Sequence, residues 1–352
     1  MWLPSPIVRF LWGSPVVGSL MYARLDRQRR REPQAETVES FAASSSEGAS
    51  KSLKWSLRIP VPAGDKGNHW GDLYFARDFA AALSSFGQDV EIHRRNNLWE
   101  RDGIEDVSVV IRGLERVNPK PGKINILWII STPELITKGE LDGFDIIFVA
   151  SNSWSEWVTK KTGIKVLPLL QCTDPKRFNP SASKPDLTKE IIFVGNARKR
   201  LRQIVKDFID AQVPIKIYGK GWTGKVPQSL VGQQFIPNNE LPIRYRSSKI
   251  VLNDHRPDMR KRGFYSNRLF DAVASGARVL SDDVVGLEQF FEGAVKTYTD
   301  SSELRAICAA ENLGFWGTDD QIRDRAKTFG ERHSFEIRAQ EMIQAVHQLQ
   351  KP

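Results

Sequence analysis

Short apolar runs recur along most of this chain, each followed by a polar, often glycine-containing turn and then an amphipathic stretch. They lie at residues 57–62, 88–93, 107–111, 124–129 and 146–149, and again at 191–194, 215–218, 249–253, 278–281 and 294–298. A parallel strand is reached from its predecessor only by a crossover, usually a helix, so this alternation predicts parallel sheets of the α/β class. Two blocks in 352 residues suit two Rossmann-like domains rather than one large core. The expected division is a partly disordered extension over 1–54, a first domain over 55–172, a proline-rich linker over 173–189, a second domain over 190–332 and a final helix over 333–352.

Composition narrows the class. A hydrophobic fraction of 40% with 26% charged residues excludes a membrane bundle and wholesale disorder. The net charge of +9 fits anionic partners or a generally basic surface, but no face interleaves basic and aromatic residues, so nucleic acid is not an expected partner. Cys172 and Cys308 are assigned to different segments, which argues against a disulfide scaffold and for the cytoplasm. No CxxC pair or HExxH sequence occurs, and no metal site is expected. Residues 1–22 are apolar but broken by Pro4, Pro6, Arg9 and Pro15, and the basic cluster Arg24, Arg27, Arg29, Arg30 and Arg31 follows. Residues 1–31 therefore suit either peripheral contact with an anionic inner membrane face or a poorly ordered extension running into the Ser/Ala/Glu-rich stretch 36–52.

In open α/β sheets ligands sit beyond the carboxyl ends of strands, so the residues just after each run are the candidates. Residues 264–291 are the most informative. Ser266 or Asn267 can cap a helix with Leu269, Phe270, Val273 and Ala274 on its apolar face, and Gly276 suits the left-handed position that ends it. Tyr265 precedes that helix, Arg268 adds charge where free N–H groups favour an anion, and Asp271 can accept hydroxyl hydrogen bonds one turn on. After 191–194 come Gly195, Arg198 and Lys199, which suit a diphosphate or form a solvated basic turn opening a helix from 199; spacing does not say which of Arg198, Lys199 and Arg202 faces a ligand. Tyr218, Gly219, Lys220 and Trp222 offer a platform for a planar base or a plain turn with Trp222 in the core. His255 follows 249–253, and Arg260, Lys261 and Arg262 read as a solvated charge run. In the first domain, Gly64, Asp65, Gly67 and His69 follow the first strand, Asp72 suits a helix cap, and Glu134 opens a helical turn.

Residues 264–291, together with 125–158, 169–180 and 191–205 in that order, resemble group 1 GT-B glycosyltransferases, specifically the family that includes spore-maturation-protein-like enzymes. The resemblance spans roughly residues 55–346. It implies two parallel sheets facing a cleft, acceptor first and donor second, with the final helix crossing back to the first domain. It implies transfer of a sugar, in the manner of a hexosyltransferase, from a nucleoside-diphosphate sugar to a glycan, lipid-linked or protein acceptor. The donor is a substrate, and no cofactor or metal is implied. Gly195, Arg198, Lys199, Tyr218, Gly219, Lys220, His255, Tyr265, Ser266, Asn267, Arg268 and Asp271 become donor-site candidates, and Gly67 and Glu134 acceptor-side ones. Many retaining members carry a glutamate eight residues before the acidic residue of the donor helix; this chain has Gly263 there, so the anomeric outcome stays open. An inverting route needs a base, for which His69 and Asp65 are the candidates. The alternatives are an epimerase or phosphorylase on the same fold, or a non-catalytic protein that binds anionic ligands.

Overall fold

A computed structural model of the chain describes residues 38–43, 52–95, 105–181, 188–310 and 313–350. The expected membrane contact of residues 1–31 lies outside them. Among the described residues no helix is long and apolar enough to cross a membrane. The chain forms two compact units, one of residues up to Leu170 together with those from Phe335 onward, the other Gln171–Ser334.

The first unit carries a seven-stranded sheet of β1 (Val38–Phe41), β2 (Lys54–Pro62), β3 (Asp89–Arg95), β4 (Val107–Arg112), β5 (Ile124–Ile129), β6 (Ile146–Val149) and β7 (Leu167–Pro168). Their order is β1-β3-β2-β4-β5-β6-β7, parallel throughout except that β1 runs antiparallel to β3. β3 lies on one side of β2 and β4 on the other, so the winding reverses between β2 and β4. β1 falls inside the stretch expected to be a partly disordered extension. Its four residues form no apolar run; Arg77, which donates to both carboxylate oxygens of Glu39 at 2.7 and 2.8 Å, holds it in place. Helix Gly71–Ser85 covers the sheet with Leu73, Phe75, Phe79 and Leu83, and Phe75 and Phe79 pack on Trp128 at 5.2 and 5.1 Å between centroids. The final helix, Phe335–Leu349, docks in this unit through Phe335 against Phe75 at 5.0 Å.

The second unit holds a five-stranded parallel sheet of β8 (Ile191–Val194), β9 (Lys216–Tyr218), β10 (Ile250–Asn253), β11 (Val279–Ser281) and β12 (Val295–Thr297), in the order β12-β11-β10-β8-β9. β9 and β10 flank β8, so this winding reverses between β8 and β10, which is where the fold leaves a crevice beyond the strand ends. Phe193, Ile217, Leu252 and Leu280 from the strands pack with Ile204, Val205 and Phe208 of helix Gln203–Asp210. Fully burying each such side chain contributes about 1.5–3 kcal/mol. That helix starts at Gln203 rather than at 199, because Arg202 takes the cap position with extended backbone (φ −66°, ψ 135°) and turns its guanidinium inward. Residues 173–181, read as linker, belong to this unit: Phe178 is buried and stacks on Tyr245, and the Thr173 N–H donates to the His333 carbonyl at 2.9 Å. The points where the chain enters and leaves the unit therefore lie side by side.

Candidate functional site

Helix Asn267–Ala274 forms where its apolar spacing predicts, with Leu269, Phe270, Val273 and Ala274 buried and Gly276 following its end at φ +80°. Phe270 seats it on an aromatic cluster of Phe290, Phe291, Phe329 and His333, with centroid separations of 5.3–6.0 Å. Ser266 occupies the cap position, but its hydroxyl does not bond the helix. It donates instead to Asn253 Oδ1 at 2.6 Å, which ties the helix start to the end of β10.

Three guanidinium groups converge at the switch point between β8 and β10. Arg202 and Arg268 both lie over the Phe193 ring, at 5.0 and 4.9 Å from its centroid. Arg202 donates to the Asn196 carbonyl at 3.0 Å and to Asp254 Oδ1 at 2.5 Å, and Arg198 stands 3.8 Å from Asp254 Oδ2. Asp254 and Arg202 are buried, while Arg198 and Arg268 are partly exposed, so one buried carboxylate stands among three positive charges. Burial, with Arg268 and Arg198 nearby, brings the Arg202 guanidinium down to about 10 against the pull of Asp254, which leaves it cationic at neutral pH. Burial also lowers Arg198. Arg268 makes no ion pair among the described residues; Asn253 Oδ1 accepts from its Nη1 at 3.0 Å. Gly195 gives this packing its room, because a Cβ there would stand 2.8 Å from Arg268 Nη2 and 3.3 Å from Phe193 and would displace the guanidinium.

His255 is fixed by two partners. The Ser266 backbone N–H can only donate, so Nε2, 3.1 Å away, accepts, and Nδ1 carries the proton that it donates to Asp282 Oδ1 at 2.7 Å. Burial would raise the Asp282 carboxyl, but the ring and backbone of His255 and the Ser281 hydroxyl outweigh it and hold the group below its ordinary value of 3.8. His255 is thus a buried strut joining β10, β11 and the start of helix Asn267–Ala274, and both of its ring nitrogens are engaged within the protein.

Other candidates also turn inward. The Tyr218 hydroxyl donates to Glu190 at 3.4 Å and its ring lies under Arg244. Gly219, at φ +138°, is needed because a Cβ would overlap the Gly195 carbonyl oxygen, and the exposed Lys220 donates its backbone N–H to Asn196 Oδ1 at 2.8 Å. Trp222 takes the core alternative, donating to the Gly195 carbonyl at 2.8 Å. The Tyr265 hydroxyl donates to the Val285 carbonyl at 3.0 Å, so it staples the helix entry. Asp271 accepts from Thr173 at 2.7 Å and from Asn267 Nδ2 at 3.0 Å; in this structure its carboxylate anchors the entering chain to the helix. Lys199 is exposed on the loop that carries Arg198. Sequence reasoning missed Asn253 and Asp254 as parts of the site; the signal was their place, the last residue of β10 and the one after it.

In the first unit, Asp65, Gly67 and His69 share the loop after β2, with Asp65 and His69 exposed. This loop wraps one guanidinium: Arg94 donates to the carbonyls of Pro62 and Gly64 at 2.8 and 2.7 Å and to Asn68 Oδ1 at 3.0 Å. A Cβ on Gly67 would overlap both Pro62 and Arg94. The glycine thus serves close packing of carbonyl oxygens about a cation, where an anion would need amides. Glu134 lies apart in the turn Pro133–Leu135, which Thr132 enters at φ 54° after β5. Trp70 takes the cap position expected for Asp72, whose carboxyl burial raises.

Residues 197–344 match a family model described as glycosyl transferase-like. No curated protein matches the chain by sequence. Among solved structures, the sucrose-phosphate synthase of Thermosynechococcus elongatus is 14% identical, with 84% of this chain and 99% of that one covered and a TM-score of 0.57. A glycosyltransferase involved in avilamycin A biosynthesis is 16% identical, with coverage of 84% and 98% and a TM-score of 0.59. The Anabaena protein HepE, in complex with UDP and glucose, is 12% identical, with coverage of 84% and 100% and a TM-score of 0.56. At such identities the likeness is one of fold, and it is the GT-B fold. The chain thus has the GT-B fold, and its part from just after β8 into the final helix is similar to the glycosyl transferase-like family.

Proposed function

We propose that this chain moves a sugar from a nucleoside-diphosphate sugar to an acceptor hydroxyl, with the donor held by the second unit and no metal required. The observation that carries this reading is the gathering of three guanidinium groups at the switch point, where Arg198 and Arg202 share the Asp254 carboxylate and Arg268 lies beside Arg202 over Phe193. As the glycosidic bond breaks, the anomeric carbon becomes cation-like and the diphosphate gains negative charge, so fixed cations beside it stabilise the transition state more than the ground state. The three groups divide that work. Arg202 is committed to Asp254 and sets the field; Arg268, held only by neutral partners, offers its charge to the phosphates, with the half-exposed Arg198 and the exposed Lys199 beside it. His69 and Asp65 in the first unit are the bases an inverting route would use. The narrower kinship with spore-maturation-protein-like enzymes belongs to the same proposal and rests on the motifs quoted above. A UDP-sugar is the first donor to try, because HepE and an α-glucosyltransferase of the same fold were both solved with UDP.

The test is release of nucleoside diphosphate from a panel of sugar nucleotides in EDTA, with and without simple acceptors. Release by wild type that Arg268→Ala abolishes supports the reading. Isomerised donor with no release would indicate an epimerase instead. His69→Ala, with transfer lost and nucleotide affinity intact, would mark the inverting route; unchanged turnover removes His69 from the mechanism.

A further inference from the structure

The end of β10, the end of β11 and the start of the donor helix are joined by a closed circuit of hydrogen bonds. Asn253 Nδ2 donates to Ser281 Oγ at 3.0 Å, and Ser281 Oγ donates to Asp282 Oδ1 at 3.2 Å. Asp282 accepts from His255 Nδ1, His255 Nε2 accepts from the Ser266 N–H, and the Ser266 hydroxyl closes the circuit on Asn253 Oδ1. Each hydroxyl has one proton and uses it once, so the directions are mutually consistent. One further group enters the circuit, the Arg268 guanidinium, and it does so at Asn253 Oδ1, 3.0 Å away. Asn253 is fully buried, and its partners leave its amide no other orientation.

The circuit thus presents Arg268 with a neutral oxygen held rigidly in place. A carboxylate there would have the same shape and would bind the guanidinium more strongly. The adjacent residue shows the contrast: Asp254, one position later, faces Arg202 and compensates its charge. A hydrogen bond to an ionised group has direction as well as strength, so an amide oxygen can orient a guanidinium while leaving its charge largely available. We infer that Asn253 is a positioning residue that aims Arg268 at the donor diphosphate, and that its neutrality, rather than its shape alone, sets affinity for the diphosphate. The inference rests on the proposed donor reading and adds to it the group that prepares the principal cation.

The experiment measures binding by calorimetry of whichever of UDP, GDP, ADP and dTDP stabilises the wild type most, together with the matching uncharged nucleoside. The variants are Asn253→Asp, Asn253→Ala, Arg268→Ala and both Asn253 substitutions on the Arg268→Ala background. Asn253→Asp is expected to weaken the diphosphate about tenfold or more and Asn253→Ala about threefold, with the nucleoside unaffected and no further loss once Arg268 is gone. A purely structural role predicts losses that extend to the nucleoside and persist on the Arg268→Ala background, because aspartate, lacking the Nδ2 proton that Ser281 Oγ accepts, opens the circuit as alanine does. Alanine at least as harmful as aspartate, or an undiminished loss on the Arg268→Ala background, overturns the inference while leaving the donor reading in place. Wild-type affinity in Arg268→Ala, or no binding by wild type of any of the four, overturns both. If Asn253→Asp does not fold, Asn253→Ala decides alone: unchanged diphosphate affinity overturns the positioning role, and a loss confined to the diphosphate and absent without Arg268 supports it.

Discussion

Residues 62–70 and 195–202 occupy equivalent places in their two sheets. Each leaves the first strand at the point where the winding reverses, carries a glycine where a Cβ would collide, and receives a buried guanidinium. Their chemistry is opposite. Around Arg94 the first loop turns in carbonyl oxygens and the Asn68 side chain, so the cation is consumed by its own loop. Around Arg202 the second loop supplies one carbonyl and the end of β10 supplies Asp254, while Arg198 and Arg268 crowd the same place and leave positive charge in excess. A glycine-rich turn after a parallel strand is therefore only an opportunity for an anion site. What the neighbouring cations are bonded to decides whether the site exists.

The sharpest way to break this comparison is to remove the anchor in the second loop. Arg202→Ala leaves Asp254 buried without its main partner, and urea unfolding should show a loss of about 3–5 kcal/mol. A change below about 1 kcal/mol would mean that the pair does not organise the loop. In the first unit, Arg94→Ala should cost roughly 2 kcal/mol, from the stranded carbonyls of Pro62 and Gly64, yet leave nucleotide affinity at the wild-type value. Weakened nucleotide binding in that variant would erase the distinction between the loops.

Much of the architecture was legible because apolar runs and crossovers leave a periodic trace. β8, β10 and helix Asn267–Ala274 fall within a residue or two of their expected places, since Phe193, Leu252 and Phe270 each report burial through spacing alone. β1 was not legible, because Val38–Phe41 has no apolar pattern of its own and depends on Arg77, 38 residues beyond Glu39. Within the site, residue type showed where cations cluster but not where each points. His255, Tyr218 and Tyr265 looked like ligand contacts in sequence, and their polar atoms are taken by Asp282 and Ser266, by Glu190 and by Val285, respectively. Those partners lie 11 to 28 residues away, beyond the reach of any local pattern.

Smaller perturbations sharpen the account. Gly195→Ala puts a methyl group 2.8 Å from Arg268 Nη2, the far end of a flexible side chain, so stability should change by less than about 1 kcal/mol while diphosphate affinity falls about tenfold. Calorimetric affinity beside an unfolding curve checks both parts. The Asp282 carboxyl is depressed in the folded protein, so its contribution is present above the unfolded value of 3.8 and is lost as pH falls through the folded one. The stability difference between wild type and Asp282→Asn, about 1 kcal/mol near neutrality, should therefore hold down to about pH 4 and close below it. A difference that widens on acidification would contradict the hydrogen-bonded circuit.

The most direct test of the donor site is thermal stabilisation by UDP, GDP, ADP and dTDP, each with magnesium and with EDTA, for wild type and Arg268→Ala. The account predicts that at least one nucleotide raises the wild-type transition equally in both buffers, and that the substitution removes most of the shift. A shift that requires magnesium, or one that survives in Arg268→Ala, would contradict an arginine-built, metal-independent site for the diphosphate.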